Sequence, residues 1–257
     1  MPDTEPILVC LLGTFRLVKH GEAMSLRHGG KMESLLCALA LGRRQSASRD
    51  TLLDAVWPEG EPGRRTNQSL NTLVHDLRRI LADALSGRSP VLRTDDGYRL
   101  NLAAGIAVDT VRFDHHIAAA ADRLAAGDEV AALAHYEQAV MLYRGDLCSG
   151  GDLRLLIERE RLRAQYLNTL AHLADHAFAT RRYDTALRHA QQLLTYDPCR
   201  EDAHRVVMRC FARLGQRSAG MQQYRLCRSV LREAFQAVPE RATDELFDRL
   251  RLEPDRV

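Results

Sequence analysis

The sequence predicts an α+β N-terminal half joined to an all-α C-terminal half. Three observations predict this. Residues 7–26 alternate and turn as short strands do. Residues 46–102 read as a short helix, a turn, a longer amphipathic helix and a hairpin. From about Asp109 to Leu250 every segment has helical spacing, with a pattern that returns after 34 residues.

The first strand is the apolar run Ile7-Leu-Val-Cys-Leu-Leu12, which Gly13 breaks. Phe15–Lys19 and Ala23–Leu26 follow, giving an expected antiparallel sheet of three short strands. Gly29-Gly30 ends it. Met32, Leu35, Leu36, Leu39 and Ala40 then recur at helical spacing. Ser46 and Ser48 are both candidate N-caps for the next helix, Ser48–Trp57. Pro58 stops that helix, and Trp57 before it is expected in the core. The turn Pro58–Arg65 is rich in Gly, Pro and Glu. The longer helix, Thr66–Leu81, puts Leu70, Leu73, Val74, Leu77, Ile80 and Leu81 on one face. Its opposite face carries Gln68, Asn71, Thr72, His75 and Arg79. Arg64 and Arg65 stand at its N-terminal end, where side-chain cations and free backbone N–H groups both favour phosphate. Asp95-Asp96-Gly97 is the expected turn of a hairpin over Val91–Leu102, with Arg93 and Arg99 on its arms. That order is what a winged helix-turn-helix needs to lay one helix in a DNA major groove with a hairpin beside it.

In the C-terminal half, Arg181-Arg-Tyr-Asp-Thr-Ala-Leu-Arg-His-Ala190 is echoed by Gly215-Gln-Arg-Ser-Ala-Gly-Met-Gln-Gln-Tyr224. The 34-residue offset is the tetratricopeptide period. Small residues, Ala186 and Gly220, fall where paired helices pack closely. Gly127–Tyr136 reads as an earlier copy, set apart by extra residues, and Asp197-Pro198 closes one repeat helix. A single repeat cannot bury its apolar face alone, so a compact stacked helical block is expected. The aromatics Tyr136, Tyr166, Phe178, Tyr183, Tyr196, Phe211 and Tyr224 fall mostly at core spacing.

Composition narrows the function. Lys plus Arg number 36 and Asp plus Glu 34, so the chain does not coat nucleic acid by bulk charge. Any DNA binding must come from locally placed cations. The only lysines are Lys19 and Lys31; the Arg bias fits a GC-rich genome. Lys31, at the start of the first long helix, either meets a phosphate or is simply exposed. The cysteines Cys10, Cys37, Cys148, Cys199, Cys210 and Cys227 form no CxxC pair and read as buried small hydrophobes in a reducing compartment. No basic region followed by an apolar run opens the chain, and no stretch of about 18 apolar residues occurs, so a cytoplasmic protein with no membrane partner is expected. His172 and His176 are four apart, but Leu-Ala-Asp lies between them and no third ligand is evident; His115-His116 reads as helix surface. There is no phosphate-cradling Gly-rich loop, nucleophile elbow or carboxylate cluster, so neither an enzyme nor a cofactor is expected.

Taken in order, the motifs resemble those of the antibiotic-regulatory-protein (SARP) family of bacterial transcription activators. The matching pieces of the first half are Leu12-Gly-Thr-Phe-Arg-Leu17, Gly29-Gly-Lys-Met-Glu-Ser-Leu-Leu36, Leu52-Leu-Asp-Ala-Val-Trp57, Asn71–Arg79 and Asp96-Gly-Tyr-Arg-Leu100. Those of the second half are Tyr143-Arg-Gly-Asp-Leu147, Glu158-Arg-Glu-Arg-Leu-Arg163 and Tyr224-Arg-Leu-Cys-Arg228. The resemblance spans nearly the whole chain. It implies an OmpR-like winged helix-turn-helix over residues 1–104 and a tetratricopeptide-like bacterial transcriptional activator domain over residues 105–257. Two places depart from the family pattern. The loop after Leu147 is the short Cys-Ser-Gly-Gly, and Thr94 stands where related wings often carry a groove-inserting Arg.

On this reading Gln68, Asn71, Thr72, His75 and Arg79 face the major groove. Asn or Gln suits adenine, Arg suits guanine, and the Thr methyl suits thymine. Arg64, Arg65 and Arg78 would contact phosphates. Arg93 and Arg99 either reach the backbone or minor groove or pair with Asp95 and Asp96 at the surface. The resemblance further implies binding of double-stranded promoter DNA at direct repeats as a homodimer, with recruitment of RNA polymerase holoenzyme at a biosynthetic gene cluster. The Trp57–Arg65 loop is then either a polymerase contact or a surface turn. The competing reading is a tetratricopeptide-type protein- or ligand-binding regulator in which DNA binding is secondary.

Overall fold

The computed structural model describes residues 5–24, 26, 30–58, 67–148 and 153–253. The chain divides into two compact units. One comprises Met1–His116 and Met141–Leu162, the other Ile117–Val140 and Arg163–Val257.

In the first unit, strands β1 (Ile7–Cys10), β2 (Arg16–Lys19) and β3 (Glu22–Met24) form the expected antiparallel meander. Its register pairs Ile7 with Lys19 and Leu17 with Met24. Helix α1 (Lys31–Leu41) buries Met32, Leu35, Leu36, Leu39 and Ala40, the face that the spacing marks. A one-turn 3-10 segment, Arg43–Gln45, leads into strand β4 (Ser46–Ser48) and helix α2 (Arg49–Val56). Ser48 caps α2 by accepting from the Thr51 N–H at 3.2 Å, satisfying a donor that the first turn leaves open. Trp57 is buried, with the Lys31 ammonium 5.4 Å from its ring centre. Helix α3 (Asn67–Leu81) follows, then strands β5 (Val91–Arg93) and β6 (Gly97–Leu100). Strand β4 pairs with β6, so the hairpin belongs to a three-stranded sheet ordered β4-β6-β5. Helix α1 packs on α2, β4 and β6.

The first sheet has one strand more than the sequence suggests. Strand β7 (Ile106–Val108) lies parallel to β1, giving the order β3-β2-β1-β7. β7 falls just past residue 104, so the compact unit runs beyond that expected division. Asp109 fastens the arrangement: it opens helix α4 (Asp109–Ala125), and its buried carboxylate accepts the N–H groups of Leu11, Leu12 and Thr110 at 2.8–2.9 Å. Burial pushes this carboxyl above its ordinary range, while the three N–H donors and Arg16 pull it back. Leu12 also bridges to Leu147, and Gly13 N–H donates to the Asp146 carbonyl.

The remaining helices are α5 (Glu129–Leu142), α6 (Leu153–Ala179), α7 (Tyr183–Tyr196), α8 (Glu201–Arg213), α9 (Arg217–Phe235) and α10 (Arg241–Leu252). In the second unit α7 packs on α8 and α8 on α9. Ala174 and Ala177 of α6, Ala186 and Ala190 of α7 and Val206, Val207 and Cys210 of α8 share one core. The small repeat residues sit where expected. Ala186 is fully buried, and a Cβ on Gly220 would lie 3.2 Å from the Met208 carbonyl, which brings α9 close to α8. Tyr136 and Tyr166 are buried; Phe178, Tyr183, Phe211 and Tyr224 pack partly buried against the cores, and the Tyr196 ring meets that of Tyr166 edge-on. His172 stacks on Tyr136, and His176 pairs with Glu129.

The repeat extends to the backbone. Gly127, Arg181 and Gly215 all adopt left-handed φ, at 77°, 60° and 72°. Each ends a helix with the same pair of hydrogen bonds. The next residue's N–H reaches back to Arg123, Ala177 and Phe211, and its own N–H to Leu124, Phe178 and Ala212. This is the Schellman stop, made three times at the positions that the sequence echo aligns.

At Gly215 no atom lies within 4 Å of an added Cβ, so Gly215→Ala tests the backbone conformation alone. A left-handed L-residue costs about 1–2 kcal/mol, and urea denaturation should register that loss. Arg181→Gly, at the equivalent stop, should not destabilise. A neutral Gly215→Ala would contradict the shared stop.

Candidate nucleic-acid interface

Helix α3 carries the polar face on which the functional reading depends. It buries Leu70, Leu73, Val74, Leu77 and Leu81 against the unit, with Ile80 half-buried, and packs on α2. Gln68, Asn71, Thr72, His75 and Arg79 are exposed on the other side. The structure therefore brings these five together on one surface. Arg64 and Arg65, with the rest of the 59–66 turn, lie outside the described residues.

Each exposed side chain has its own local state. The Thr72 hydroxyl donates to the Gln68 carbonyl at 3.0 Å, which occupies its proton within the helix and leaves the methyl as its distinctive outward group. Arg79 rests against Asp76 at 3.3 Å while its side chain stays 73% exposed, so this pair holds it only weakly. Asn71 is more constrained than its sequence position suggests. Its Oδ1 accepts from the Tyr98 hydroxyl at 2.7 Å and from Arg49 Nη1 at 3.3 Å, leaving its amide N–H groups as the donors for a ligand.

Arg78, for which a phosphate contact is expected, has a partner within the unit. It is half-buried and donates Nε and Nη2 to the Val91 carbonyl at 3.1 and 2.8 Å. That forked contact joins the last turn of α3 to the start of β5. A cation there also complements the carbonyl end of the helix.

Arg49, which sequence reasoning passed over, completes the frame. Its backbone N–H donates to the Asp96 carbonyl at 3.0 Å, tying α2 to the hairpin turn. Its guanidinium lies 5.3 Å from the Tyr98 ring centre and reaches Asn67, Asn71 and the Tyr98 hydroxyl at 3.3–3.4 Å. A cation in the first turn of a helix opposes the helix dipole, and that was the available signal.

The hairpin forms around the expected turn. Thr94 Oγ1 accepts from the Gly97 N–H at 3.1 Å and faces Asp96, so this Thr closes the turn. Cross-strand register pairs Arg93 with Tyr98 and Leu92 with Arg99. Successive side chains of a strand alternate faces, so Arg93 shares the Tyr98 face and Arg99 the opposite one. Both are exposed, and among the described residues neither pairs with Asp95 or Asp96.

A family model for the bacterial transcriptional activator domain matches residues 108–251, more than half of the chain. The chain belongs to this family. A second model, transcriptional regulatory protein, C terminal, matches residues 25–100, which contain α1, α2, α3 and the hairpin. The combination is that of a SARP-type transcriptional regulator, an architecture of regulators and not of enzymes. The transcriptional regulatory protein MoaR1 of Mycobacterium bovis is 26% identical over 225 residues, covering 86% of this chain and 71% of that protein. MoaR1 of Mycobacterium tuberculosis matches to the same extent. Regulatory protein AfsR of Streptomyces coelicolor is 24% identical over 241 residues, 93% of this chain but only 24% of AfsR. Among solved structures, Mycobacterium tuberculosis EmbR in complex with a low-affinity phosphopeptide shares the fold, with a TM-score of 0.74 at 21% identity over 98% of this chain and 67% of that one. Among the described residues no helix of this SARP-type chain is long and apolar enough to cross a membrane.

The frame around α3 can be tested apart from any ligand. Tyr98→Phe removes one hydroxyl and should cost about 0.5–1.5 kcal/mol in urea denaturation. Arg78→Ala should cost about 1.5–3 kcal/mol, because it removes a charged donor from a backbone carbonyl. Arg78→Ala without loss of stability would show that the α3–β5 tie is idle.

Proposed function

We propose that this regulator is a sequence-specific DNA-binding transcription activator. Its polar α3 face reads base edges in the major groove, with the β5–β6 hairpin acting as a wing on the adjoining backbone. The observation that carries the reading is the five-residue polar surface of α3, exposed while the same helix is fixed to the hairpin through Arg78 and Tyr98.

Gln68, Asn71, Thr72, His75 and Arg79 are the base-reading set. Arg79, long and weakly held, suits the O6 and N7 acceptors of guanine, and the Thr72 methyl suits thymine. Arg64 and Arg65 set register on phosphates, as do Arg93 and Arg99 from the wing. Arg78 acts as a positioning residue. Residues 1–104 supply DNA recognition and residues 105–257 supply assembly. The latter pair two copies on direct repeats and contact RNA polymerase holoenzyme, in the cytoplasm, at a promoter of a biosynthetic gene cluster. The tetratricopeptide-like stacking of the helices and the activator family support that second role.

The test is a gel-shift titration against fragments upstream of the protein's own and neighbouring genes, with competitor DNA at two salt concentrations. Binding to one fragment should resist competitor and weaken with salt, as counterions released by phosphate contacts require. Arg79→Ala should lose preference at one base pair, costing about 1–3 kcal/mol, while its affinity for random DNA stays near wild type. If wild type binds no fragment at either salt, the repeat domain as a protein- or ligand-binding scaffold becomes the better account.

A further inference from the structure

An open pocket of about 330 Å³ lies on the second sheet, lined by Arg43, Arg44, Ser46, Thr94 and Arg99. The three arginines come from two distant segments, the 3-10 turn before β4 and strand β6. Pairing of Ser46 with Arg99 across β4 and β6 brings them together. All three are exposed, and among the described residues none is paired with a carboxylate. Three guanidiniums around one space repel one another unless an anion occupies it.

The backbone gives a second, independent sign. Arg44 and Gln45 both hold left-handed φ, at 54° and 55°. Two consecutive non-glycine residues in that region are strained, and such outliers cluster at ligand sites. The turn is also tight: a Cβ on Gly42 would meet the Ser46 carbonyl at 2.0 Å, so only glycine fits there.

The strand register says on which face the pocket lies. Arg99 points away from the face that holds Tyr98 and Arg93, so the pocket lies on the outer side of the wing sheet. Thr94, at the hairpin turn, places one rim of the pocket beside the wing tip. The wing thus carries cations on both faces. A minor groove about 6 Å wide, walled by two phosphate strands, presents anions on both sides of an entering hairpin. A small phosphorylated ligand would call for only one of these faces.

We propose that Arg43, Arg44 and Arg99 together hold one DNA backbone phosphate on the outer face of the wing, opposite the side served by Arg93. This rests on the DNA-binding reading above and adds to it a contact that sets affinity and not sequence.

The experiment uses the full chain and a random-sequence duplex, with affinity measured between about 50 and 200 mM salt. Arg43→Gln/Arg44→Gln should make the slope of log K against log salt shallower, and adding Arg99→Gln should complete a total loss of about 0.9, the value for one phosphate contact. Discrimination between a preferred fragment and competitor should stay as in wild type, and matching circular-dichroism melts should show that the fold is intact. The total should go no further than that one step, because the three share one phosphate. An unchanged slope in the double variant, or a second full step in the triple variant, overturns the proposal. If wild type binds no duplex at any salt, the DNA-binding reading itself has failed and the backbone phosphate falls with it. In that case stabilisation of wild type, but not of the double variant, by inorganic phosphate would reassign the pocket to a small phosphorylated ligand.

Discussion

A helix can read a groove only if its outward face keeps a fixed angle to whatever grips the backbone beside it. Here that angle depends on two contacts at different turns of α3. Arg78 forks onto the Val91 carbonyl near the C-terminal end, and Asn71 receives the Tyr98 hydroxyl nearer the N-terminal end. One contact would act as a pivot; two at separate turns stop rotation. Arg49 braces the second through Asn67, Asn71 and the Tyr98 ring, while its own N–H holds the hairpin turn. Helix α2, helix α3 and the wing are therefore tied to one another by hydrogen bonds, and the exposed face of α3 is positioned by them.

That positioning draws on the polar residues of the reading surface. The Asn71 oxygen serves the frame, so on the proposed DNA-binding reading base discrimination would rest more on Gln68, Thr72, His75 and Arg79 than on the full polar face. With charges nearly balanced over the whole chain, the proposed attraction to DNA would depend on where a few arginines lie. Among the described residues they lie on the last turn of α3, on both faces of the hairpin and around the 3-10 turn before β4. A second constraint, the buried Asp109, keeps the first sheet in register. Its carboxylate collects N–H groups from the loop after β1 and from the start of α4, so β7 must end where that loop begins.

Much of this was legible in the sequence wherever the signal was local. The amphipathic spacing of α3, the Ser48 cap, the Asp-Gly turn of the hairpin and the 34-residue echo each state their structure within a short window. The echo even marks three residues that stop their helices in left-handed conformation, although one of them is arginine. What escaped was non-local. Strand β7 is three residues long and pairs with a strand at the other end of the unit, and β4 is equally short. No periodicity exists over three residues. The contact of Arg78 escaped for a related reason: Arg79 stands beside it on the same helix end, and only the position of the β5 carbonyl tells which of the two is held. Arg43 and Arg44 look like ordinary surface charge until β4 pairs with β6 and brings Arg99 to them.

The central claim is that α3 enters the major groove while the wing lies on the neighbouring minor groove. Chemical footprinting on a selected site tests it most directly, pairing dimethyl sulfate at guanine N7 with hydroxyl radicals at the backbone. The account predicts guanine N7 protection within each repeat, flanked on one side by a backbone footprint across the adjacent minor groove. Backbone protection without any guanine N7 protection, on a site that contains guanine, would contradict it.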